Sequence, residues 1–485
     1  MRKKRGFLAL GALGTVIFSG LLFVLNFNNN FGNIKNNNII QTQEIEEDSL
    51  ELKLARDDEI RNIEVSNGYE SLDTDVERMV YKKVIENADN VSYFKTRNGS
   101  YYINDIYMPV RGVTLDVIKK VLYAIRNDHP KIFWISNFYE RIYDDKSSKI
   151  RLSSIFSKKE LAYAKEKMED KTNEIISSMP RGLSDYDKVK FIHDYIVKNC
   201  KYAREQLQFK SQYDHNSLNR HGASGVVKSI PSYNISFNDY YKIFTPYGCL
   251  IDRSAVCEGI SKAFQILCTE VGIETRQVSG YLGEEAHMWN LVKIDGDWYH
   301  IDVTNDKNQA FNEYTYFCLS DQKIQELGHK ISRQIIDSKE IPQDSIYNFK
   351  LPECNSMKHN YYYKNSIHVS DFGSNTLRKI TDRLYRIALN SNENYLYLMP
   401  ANRMSLTTLK NTFLKNTDSL ISRCLRSANS RLESYKQLQN ISYVENKKLN
   451  LLMIKVTKSS NNLQEITTKQ LIEIQDKNKY KNKYK

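Results

Sequence analysis

Cys257 opens a predicted helix and is the residue of this chain with the clearest potential for chemistry. The apolar residues that follow it recur at helical spacing as far as Gly272, a residue type that often ends helices. Ser254, or failing that Asp252, is the expected N-cap, which puts Cys257 in the first turn. Because unpaired backbone N–H groups and the helix dipole favour negative charge there, the position suits a nucleophilic thiolate.

A β-hairpin is predicted downstream of this helix. Two runs with alternating apolar residues flank the turn pair Asp295-Gly296, and this pattern is a strong signal for a hairpin with a two-residue turn. A turn of that length sets the register, so Ile294 is expected to face Asp297. Side chains alternate between the two faces of a strand, so the register also predicts which residues share a face.

Counted from that register, His287 and Asp302 lie on one face of the hairpin as diagonal neighbours. The imidazole can take the proton from Cys257, and the carboxylate can fix the imidazole tautomer and support its charged form. A buried aspartate is costly without a partner, which also favours this pairing. His300 shares the face with Asp302, and a role beside the pair is expected to be structural rather than catalytic.

Other polar residues near the predicted site are given structural roles. His193 and Asp194 lie on a predicted helix upstream of the cysteine, where packing or capping explains them better than chemistry. Glu258 follows the cysteine directly and is expected to support the start of the helix. The sequence therefore predicts a catalytic triad of Cys257, His287 and Asp302.

Three motif blocks carry these residues, and together they resemble the transglutaminase-like superfamily in order, spacing and flanking residues. The blocks are Ala-Val-Cys257-Glu-Gly, His287-Met-Trp-Asn and Trp298-Tyr-His-Ile-Asp302-Val-Thr. The resemblance covers roughly Leu183 to Asp321. It implies an α+β fold with a papain-like Cys-His-Asp core, and neither a metal nor an organic cofactor.

The resemblance implies acyl transfer on amide bonds of a protein or peptide substrate, through a thioester on Cys257. Water would end the reaction as a protease or amidase, and a second amine would end it as a protein cross-link; hydrolysis is slightly favoured. The alternative is a non-catalytic cell-surface scaffold that uses the same fold for binding. Two departures from the family pattern keep this alternative open. Arg253 stands where glycine is common, and the segment between Tyr202 and Tyr247 is long.

The N-terminus predicts a membrane anchor. Four cations at residues 2–5 precede an uncharged run over residues 6–25. As a helix rising ~1.5 Å per residue, this run just spans a bilayer core of about 30 Å. A cleaved signal peptide usually has a shorter apolar region, about 7–15 residues, and a small-residue cleavage site. An uncleaved single-pass anchor in the cell membrane is therefore favoured, with the C-terminal body extracytoplasmic.

Composition narrows the class of protein further. A hydrophobic content of 41% and 33 tyrosines show that the chain can bury cores. The net charge is +12, but no nucleic-acid motif accompanies it, so nucleic acid is not an expected partner. The basic tail at residues 471–485 could contact a cell-wall polymer. Seven cysteines form no Cys-x-x-Cys pair, which argues against a zinc site or a disulfide scaffold.

The pattern along the chain predicts an α+β protein with accessory regions on both sides of the core. In the first accessory region it has the order helix-strand-strand-helix-strand, and helices are expected at Lys158 to Ser178 and Lys323 to Ile336. The expected parts are a membrane anchor at 1–26, a low-complexity linker at 27–68, an α+β accessory module at 69–157, the transglutaminase-like catalytic core at 158–325, a C-terminal α+β accessory region at 326–470 and a basic tail at 471–485.

Overall fold

The computed structural model describes part of the 485-residue chain. The described residues are 15–18, 21–24, 67–96, 99–110, 113–143, 147–207, 236–307, 313–331, 351–390, 393–415 and 418–458. Nearly all of the expected linker and the whole basic tail lie outside them. The chain divides into two compact units, one formed by 1–308 with 319–356 and the other by 309–318 with 357–485.

The N-terminal apolar run differs from the expected single helix. The structure has two short antiparallel strands there, β1 (Thr15–Phe18) and β2 (Leu21–Val24). Apolar periodicity does not separate a strand from a helix in a short run, and β-branched Val16 and Ile17 favour extended backbone. Among the helices that the structure describes, none combines the length and the apolar content needed to cross a membrane.

The first α+β region has the expected order of elements with three additions, a short helix at its start and two strands. Its elements are α1 (Asn67–Glu70), α2 (Asp75–Asn87), β3 (Val91–Lys95), β4 (Tyr101–Ile103), β5 (Ile106–Met108), α3 (Leu115–Asp128), β6 (Ile135–Tyr143) and β7 (Ser148–Ser154). The sheet order is β3-β4-β7-β5, with β6 also paired to β7. The one strand expected between residues 101 and 108 is therefore two, and β7 was not expected.

The core begins with a helical half. Its elements are α4 (Lys158–Ser177), α5 (Asp185–Asn199), β8 (Lys201–Tyr202), α6 (Arg204–Leu207), α7 (Phe237–Lys242), α8 (Pro246–Leu250), β9 (Ser254–Ala255) and α9 (Cys257–Glu270). The helix expected from Lys158 is confirmed. Every residue of α9 from Cys257 to Cys268 is buried, so this helix forms the centre of the core.

The core continues into an antiparallel sheet. Its elements are β10 (Thr275–Leu282), β11 (Glu285–Ile294), β12 (Asp297–Ile301), α10 (Val303–Lys307), β13 (Phe317–Leu319), α11 (Asp321–Glu326) and β14 (His329–Ile331). Strands β12, β11, β10 and β14 lie side by side in that order, and α9 packs against β10, β11 and α5.

The helix expected at Lys323 to Ile336 continues for only about one turn, and residues 332–336 of that range lie outside the described part of the chain. It ends at Glu326, and Gly328 adopts a left-handed φ of 97° before β14 begins. Glycine takes this conformation at little cost, so it ends the helix and lets the chain turn back as a strand. The change of direction brings His329 into the sheet.

The C-terminal unit has its own sheet and core. Its elements are α12 (Tyr361–Asn365), β15 (Ser366–Val369), α13 (Ser374–Leu389), β16 (Tyr395–Pro400), α14 (Leu406–Leu414), α15 (Leu420–Asn429), a 3-10 turn (Ser434–Lys436), β17 (Leu438–Asn446) and β18 (Leu451–Lys458). The sheet order is β15-β16-β18-β17. Leu384, Leu396, Phe413 and Ile454 are fully buried within this unit.

Candidate active site

Cys257 is the first residue of α9, and its cap is not the expected one. Val256 is the N-cap, in extended conformation and without a side-chain capping bond. Ser254 and Ala255 instead form β9, which pairs in parallel with β8. This pairing keeps the backbone extended up to Val256, so the helix starts later than sequence predicts. The cysteine therefore stands at the positive end of the helix dipole with no capping side chain on the first-turn N–H groups.

Arg253, which stands where the resemblance leads one to expect glycine, adopts a backbone conformation that favours glycine. Its φ is 55°, in the left-handed region that side chains other than glycine enter at a cost. Its carbonyl oxygen accepts a hydrogen bond from the backbone N–H of Lys201 at 2.8 Å, which fixes the turn just before β9. The chain thus retains the turn and tolerates backbone strain there.

Arg253→Gly is expected to stabilise the unit that contains the site by roughly 0.5–1 kcal/mol, because relief of left-handed strain exceeds the added flexibility of the unfolded chain. The measurement is urea unfolding followed by tryptophan fluorescence. All three tryptophans, at 134, 289 and 298, lie within the first unit, so the signal reports on that unit. Arg253→Ala keeps the strain and should give no gain; equal gains in both variants would contradict this explanation.

The hairpin register is the one that the sequence predicts. Ile294 pairs with Asp297 across the Asp295-Gly296 turn, and β11 and β12 stay in step from there to Asn290 and Ile301. The two turn residues have φ of 52° and 88°, as the two-residue turn requires.

The structure brings His287 and Asp302 into direct contact. His287 Nε2 donates to Asp302 Oδ2 over 2.7 Å, and both side chains are buried. Burial opposes the charge of the imidazole, but Asp302 and a hydrogen bond with Cys257 outweigh it and raise the pKa of His287 to about 10. Because Nε2 is held by the carboxylate, Nδ1 remains for the thiol. The arrangement is therefore suited to a thiolate–imidazolium pair.

Asp302 is held by more donors than the sequence indicates. Its Oδ2 also accepts from His329 Nε2 at 2.8 Å and from Asn305 Nδ2, and its Oδ1 accepts from the backbone N–H of Asn305 at 3.0 Å. Although burial opposes the charge, His287 and then His329 hold the pKa of Asp302 well below its usual range. The carboxylate is thus ionised and fixed in orientation.

Sequence reasoning missed Asn305 and His329 for different reasons. Asn305 follows Asp302 by three residues, the spacing at which a capping carboxylate accepts from a helix N–H, so the start of α10 could have been predicted. His329 lies 27 residues beyond Asp302, on a strand that sequence reasoning took for helix. Only the pairing of β14 with β10 brings it to the carboxylate.

His300 is buried on the hairpin but is bonded elsewhere. Its Nδ1 accepts from the indole N–H of Trp289 at 2.9 Å, and its Nε2 donates to Asp321 Oδ1 at 2.8 Å. Asp321 in turn accepts from the backbone N–H of Cys354 at 3.0 Å. Since Trp289 stacks on the His287 ring at 5.8 Å, His300 supports the wall beside the His287 imidazole.

Two groups of donors in the described residues include atoms that metals bind. His287, Asp302 and His329 form one, and His300, Asp321 and Cys354 form the other. In the first, the two imidazole nitrogens lie 2.7 and 2.8 Å from one carboxylate oxygen. Each distance is that of a hydrogen bond from the ring N–H to the oxygen. In the second, the His300 ring is satisfied on both nitrogens by Trp289 and Asp321. Hydrogen bonding accounts for the first group and for the His300 ring of the second.

Glu258 is buried beside the cysteine and forms an ion pair with Lys262 one turn later in α9. Burial lowers the pKa of Lys262, and Glu258 opposes that effect. The pair lies within the helix, in keeping with the support role that the sequence indicates.

His193 joins α5 to the helix that follows Asp302. Its Nδ1 contacts Asp194 Oδ1 at 3.0 Å, and its Nε2 contacts Asp306 Oδ2 at 3.2 Å. Burial opposes protonation, but the two carboxylates outweigh it and raise the pKa of His193. The residue thus has the structural role that the sequence suggests, and it anchors α10.

Because the folded pKa of His193 lies above the unfolded value of 6.5, its contribution to stability is complete below that pH and is lost as pH rises through the folded pKa. We expect His193→Gln to be less stable than the wild type at about pH 6, and the difference to shrink toward about pH 9. Urea midpoints from tryptophan fluorescence measure this. A difference that is constant over this range would contradict it.

Part of this core matches a known protein family. Residues 226–303 match the family model of the transglutaminase-like superfamily. None of the curated proteins matches the chain. Among solved structures, one described as a TGase is similar, with 17% identity and a TM-score of 0.22; the match covers 41% of this chain and half (50%) of that one.

Two other structures are described as candidate proteases. The one from Cytophaga hutchinsonii, a candidate cysteine protease, has 14% identity and a TM-score of 0.17, with 44% of this chain and 69% of that chain covered. The one from Parabacteroides distasonis has 9% identity and a TM-score of 0.22, with 70% and 65% covered. TM-scores this low carry no argument about activity. The family match and the motif residues within it show that this chain contains a transglutaminase-like core.

Proposed function

We propose that this chain is a cysteine enzyme that acts on amide bonds through a thioester acyl-enzyme. The observation that carries the proposal is the line of contacts from the Cys257 thiol to the His287 imidazole and on to Asp302 Oδ2, at the start of a buried helix. An imidazole that stays charged at neutral pH can hold a thiolate beside it.

In the proposed reaction the thiolate of Cys257 attacks the amide carbonyl, and the backbone N–H of Cys257 donates to the developing oxyanion. The C–N bond breaks as the imidazolium of His287 gives its proton to the leaving amine, which leaves a thioester on sulfur. His287, now neutral, takes a proton from water or from a second amine, and that nucleophile displaces the thiolate. Asp302 keeps Nε2–H of His287 oriented throughout.

Hydrolysis is the proposed outcome, and transfer to a second amine is the variant of the same chemistry. Both share the acyl-enzyme, so the first experiment addresses that intermediate without a known substrate. The folded protein is treated with p-nitrophenyl acetate, and acetylation is mapped by mass spectrometry. Acetyl transfer to Cys257 in the wild type, with none in His287→Ala, supports the proposal, whereas equal slow labelling in both proteins counts against it.

The fate of the thioester is then followed with and without an added primary amine. Decay to free enzyme and acetate at the same rate in both conditions identifies a hydrolase. Formation of the acetylated amine identifies a transferase. Cys257→Ala is the matched control, since it removes the sulfur and leaves the rest of the site in place.

A non-catalytic scaffold remains the second proposal because of one observation. Cys257 is 0% exposed and His287 only 6% exposed. Two cavities in the described residues, of about 20 and 300 Å³, are lined by other residues, including Arg126 in the first and Met168 in the second. A thiol that p-nitrophenyl acetate never reaches would favour the scaffold, and its partners would then be the next target.

Membrane attachment through residues 6–25 is also proposed, with the body on the outer face. Its support is the uncharged run after four cations. Crossing a bilayer would require this run to be a helix rather than the strands β1 and β2. In lipid, the backbone N–H and C=O groups at the edges of an open strand pair would have no hydrogen-bond partners. Retention of the full chain in membranes after carbonate extraction is expected, and its release would contradict the attachment.

A further inference from the structure

His329 contacts the same carboxylate oxygen as the proposed catalytic base. Its Nε2 lies 2.8 Å from Asp302 Oδ2, and His287 Nε2 lies 2.7 Å from that oxygen. The His329 side chain is fully buried, as is that of Asp302. It lies beyond the residues that match the family model.

The chemistry of the contact defines the proton on His329. An ionised carboxylate only accepts hydrogen bonds, so Nε2 of His329 must carry hydrogen. The same holds for Nε2 of His287. One oxygen therefore accepts from two imidazoles, and Asn305 completes the set of donors. A buried carboxylate saturated in this way has little freedom to rotate away from His287.

A glycine on the neighbouring strand allows His329 to come close to Asp302. Gly280 on β10 lies opposite Ile331 on β14, and a Cβ at Gly280 would lie 2.2 Å from the carbonyl oxygen of Lys330. Glycine at this position thus permits the close approach of β14 that carries the imidazole to Asp302. The His329 ring also packs edge-on against Trp289 at 5.0 Å, which limits its orientation.

We propose that His329 is a positioning residue that holds Asp302 Oδ2 in the orientation needed to keep His287 charged and aimed at Cys257. This inference rests on the proposed function. Its effect is indirect, since His329 contacts the carboxylate and not the thiol. Loss of the His329 N–H would remove one of the hydrogen bonds that fix the Asp302 carboxylate. The carboxylate would then stabilise the charged imidazole of His287 less well.

The test compares two variants of the full chain. His329→Leu fills space without a donor, and His329→Gln places an amide N–H near the position of Nε2. The readout is the rate at which iodoacetamide labels Cys257 at about pH 6, mapped by mass spectrometry. We expect His329→Leu to be about tenfold slower than wild type and His329→Gln to restore most of the rate, as for loss and replacement of a bond to a charged group. Equal rates in folded wild type and His329→Leu would overturn the proposal.

A second measurement needs no variant. Histidine nitrogen NMR of the wild type reports which ring nitrogen carries hydrogen, and His329 is expected to carry it on Nε2, with a far-downfield proton signal from His287 Nε2–H. A bare Nε2 on His329 would overturn the proposal even if His329→Leu does not fold. Should wild-type Cys257 react like an ordinary thiol, the proposed function fails, while the nitrogen NMR still decides whether His329 binds Asp302.

Discussion

Asp302→Ala is expected to lower the free energy of unfolding of the first unit by about 3–5 kcal/mol, the range for removing one partner of a buried charged pair. The variant leaves two buried imidazoles, on His287 and His329, without their acceptor. It also removes the oxygen that caps α10 through the backbone N–H of Asn305. Urea unfolding followed by tryptophan fluorescence measures the loss, because the tryptophans lie in this unit.

The control is Asp302→Asn, which keeps the shape of the side chain and an oxygen that can accept from one donor. It should lose clearly less stability than Asp302→Ala, yet it should share the loss of Cys257 reactivity because a neutral amide cannot support an imidazolium. A loss of under about 1 kcal/mol in Asp302→Ala would show that the buried network contributes far less than proposed.

His287→Ala is expected to slow iodoacetamide labelling of Cys257 at about pH 6 by at least about tenfold. An ordinary thiol is less than about 1% ionised at that pH, whereas a thiol paired with an imidazolium is ionised. The lower intrinsic nucleophilicity of a stabilised thiolate offsets part of this gain, so the expected ratio is smaller than the ratio of ionised fractions. The raised pKa of His287, about 10, means that the imidazolium persists across the neutral range.

Two other cysteines serve as internal controls in the same digest. Cys268 and Cys424 are buried free thiols, and burial raises the pKa of both. Their labelling should be slow and unaffected by His287→Ala. If iodoacetamide instead labels Cys257 as fast in the variant as in the wild type, the His287 imidazole does not activate the Cys257 thiol.

The hairpin was predictable because its register depends on local information. A two-residue turn and strict alternation of side chains place Ile294 opposite Asp297, and the contact between His287 and Asp302 follows. The start of α9 was less predictable. Ser254 is a good capping residue, but its pairing with β8, more than 50 residues earlier, holds it in a strand.

His329 shows the limit of sequence reasoning most clearly. The apolar residues after Asp321 fit a helix over a few turns, and only the conformation of Gly328 and the edge of β10 turn the chain into a strand. Strand pairing across many residues is set by the packed core rather than by local preference. The N-terminal apolar run shows a second limit of prediction from sequence. Its composition is compatible both with a helix and with the two strands observed.

The central claim is that Cys257 exists as a thiolate paired with the imidazolium of His287. Its most direct test is the rate of iodoacetamide labelling against pH, measured cysteine by cysteine on the folded wild-type protein. The account predicts that Cys257 reacts well below about pH 8 while Cys268 and Cys424 do not, with a rate that stays nearly level until His287 begins to lose its proton near pH 10. A rate that rises with pH in parallel with the other cysteines would contradict the account.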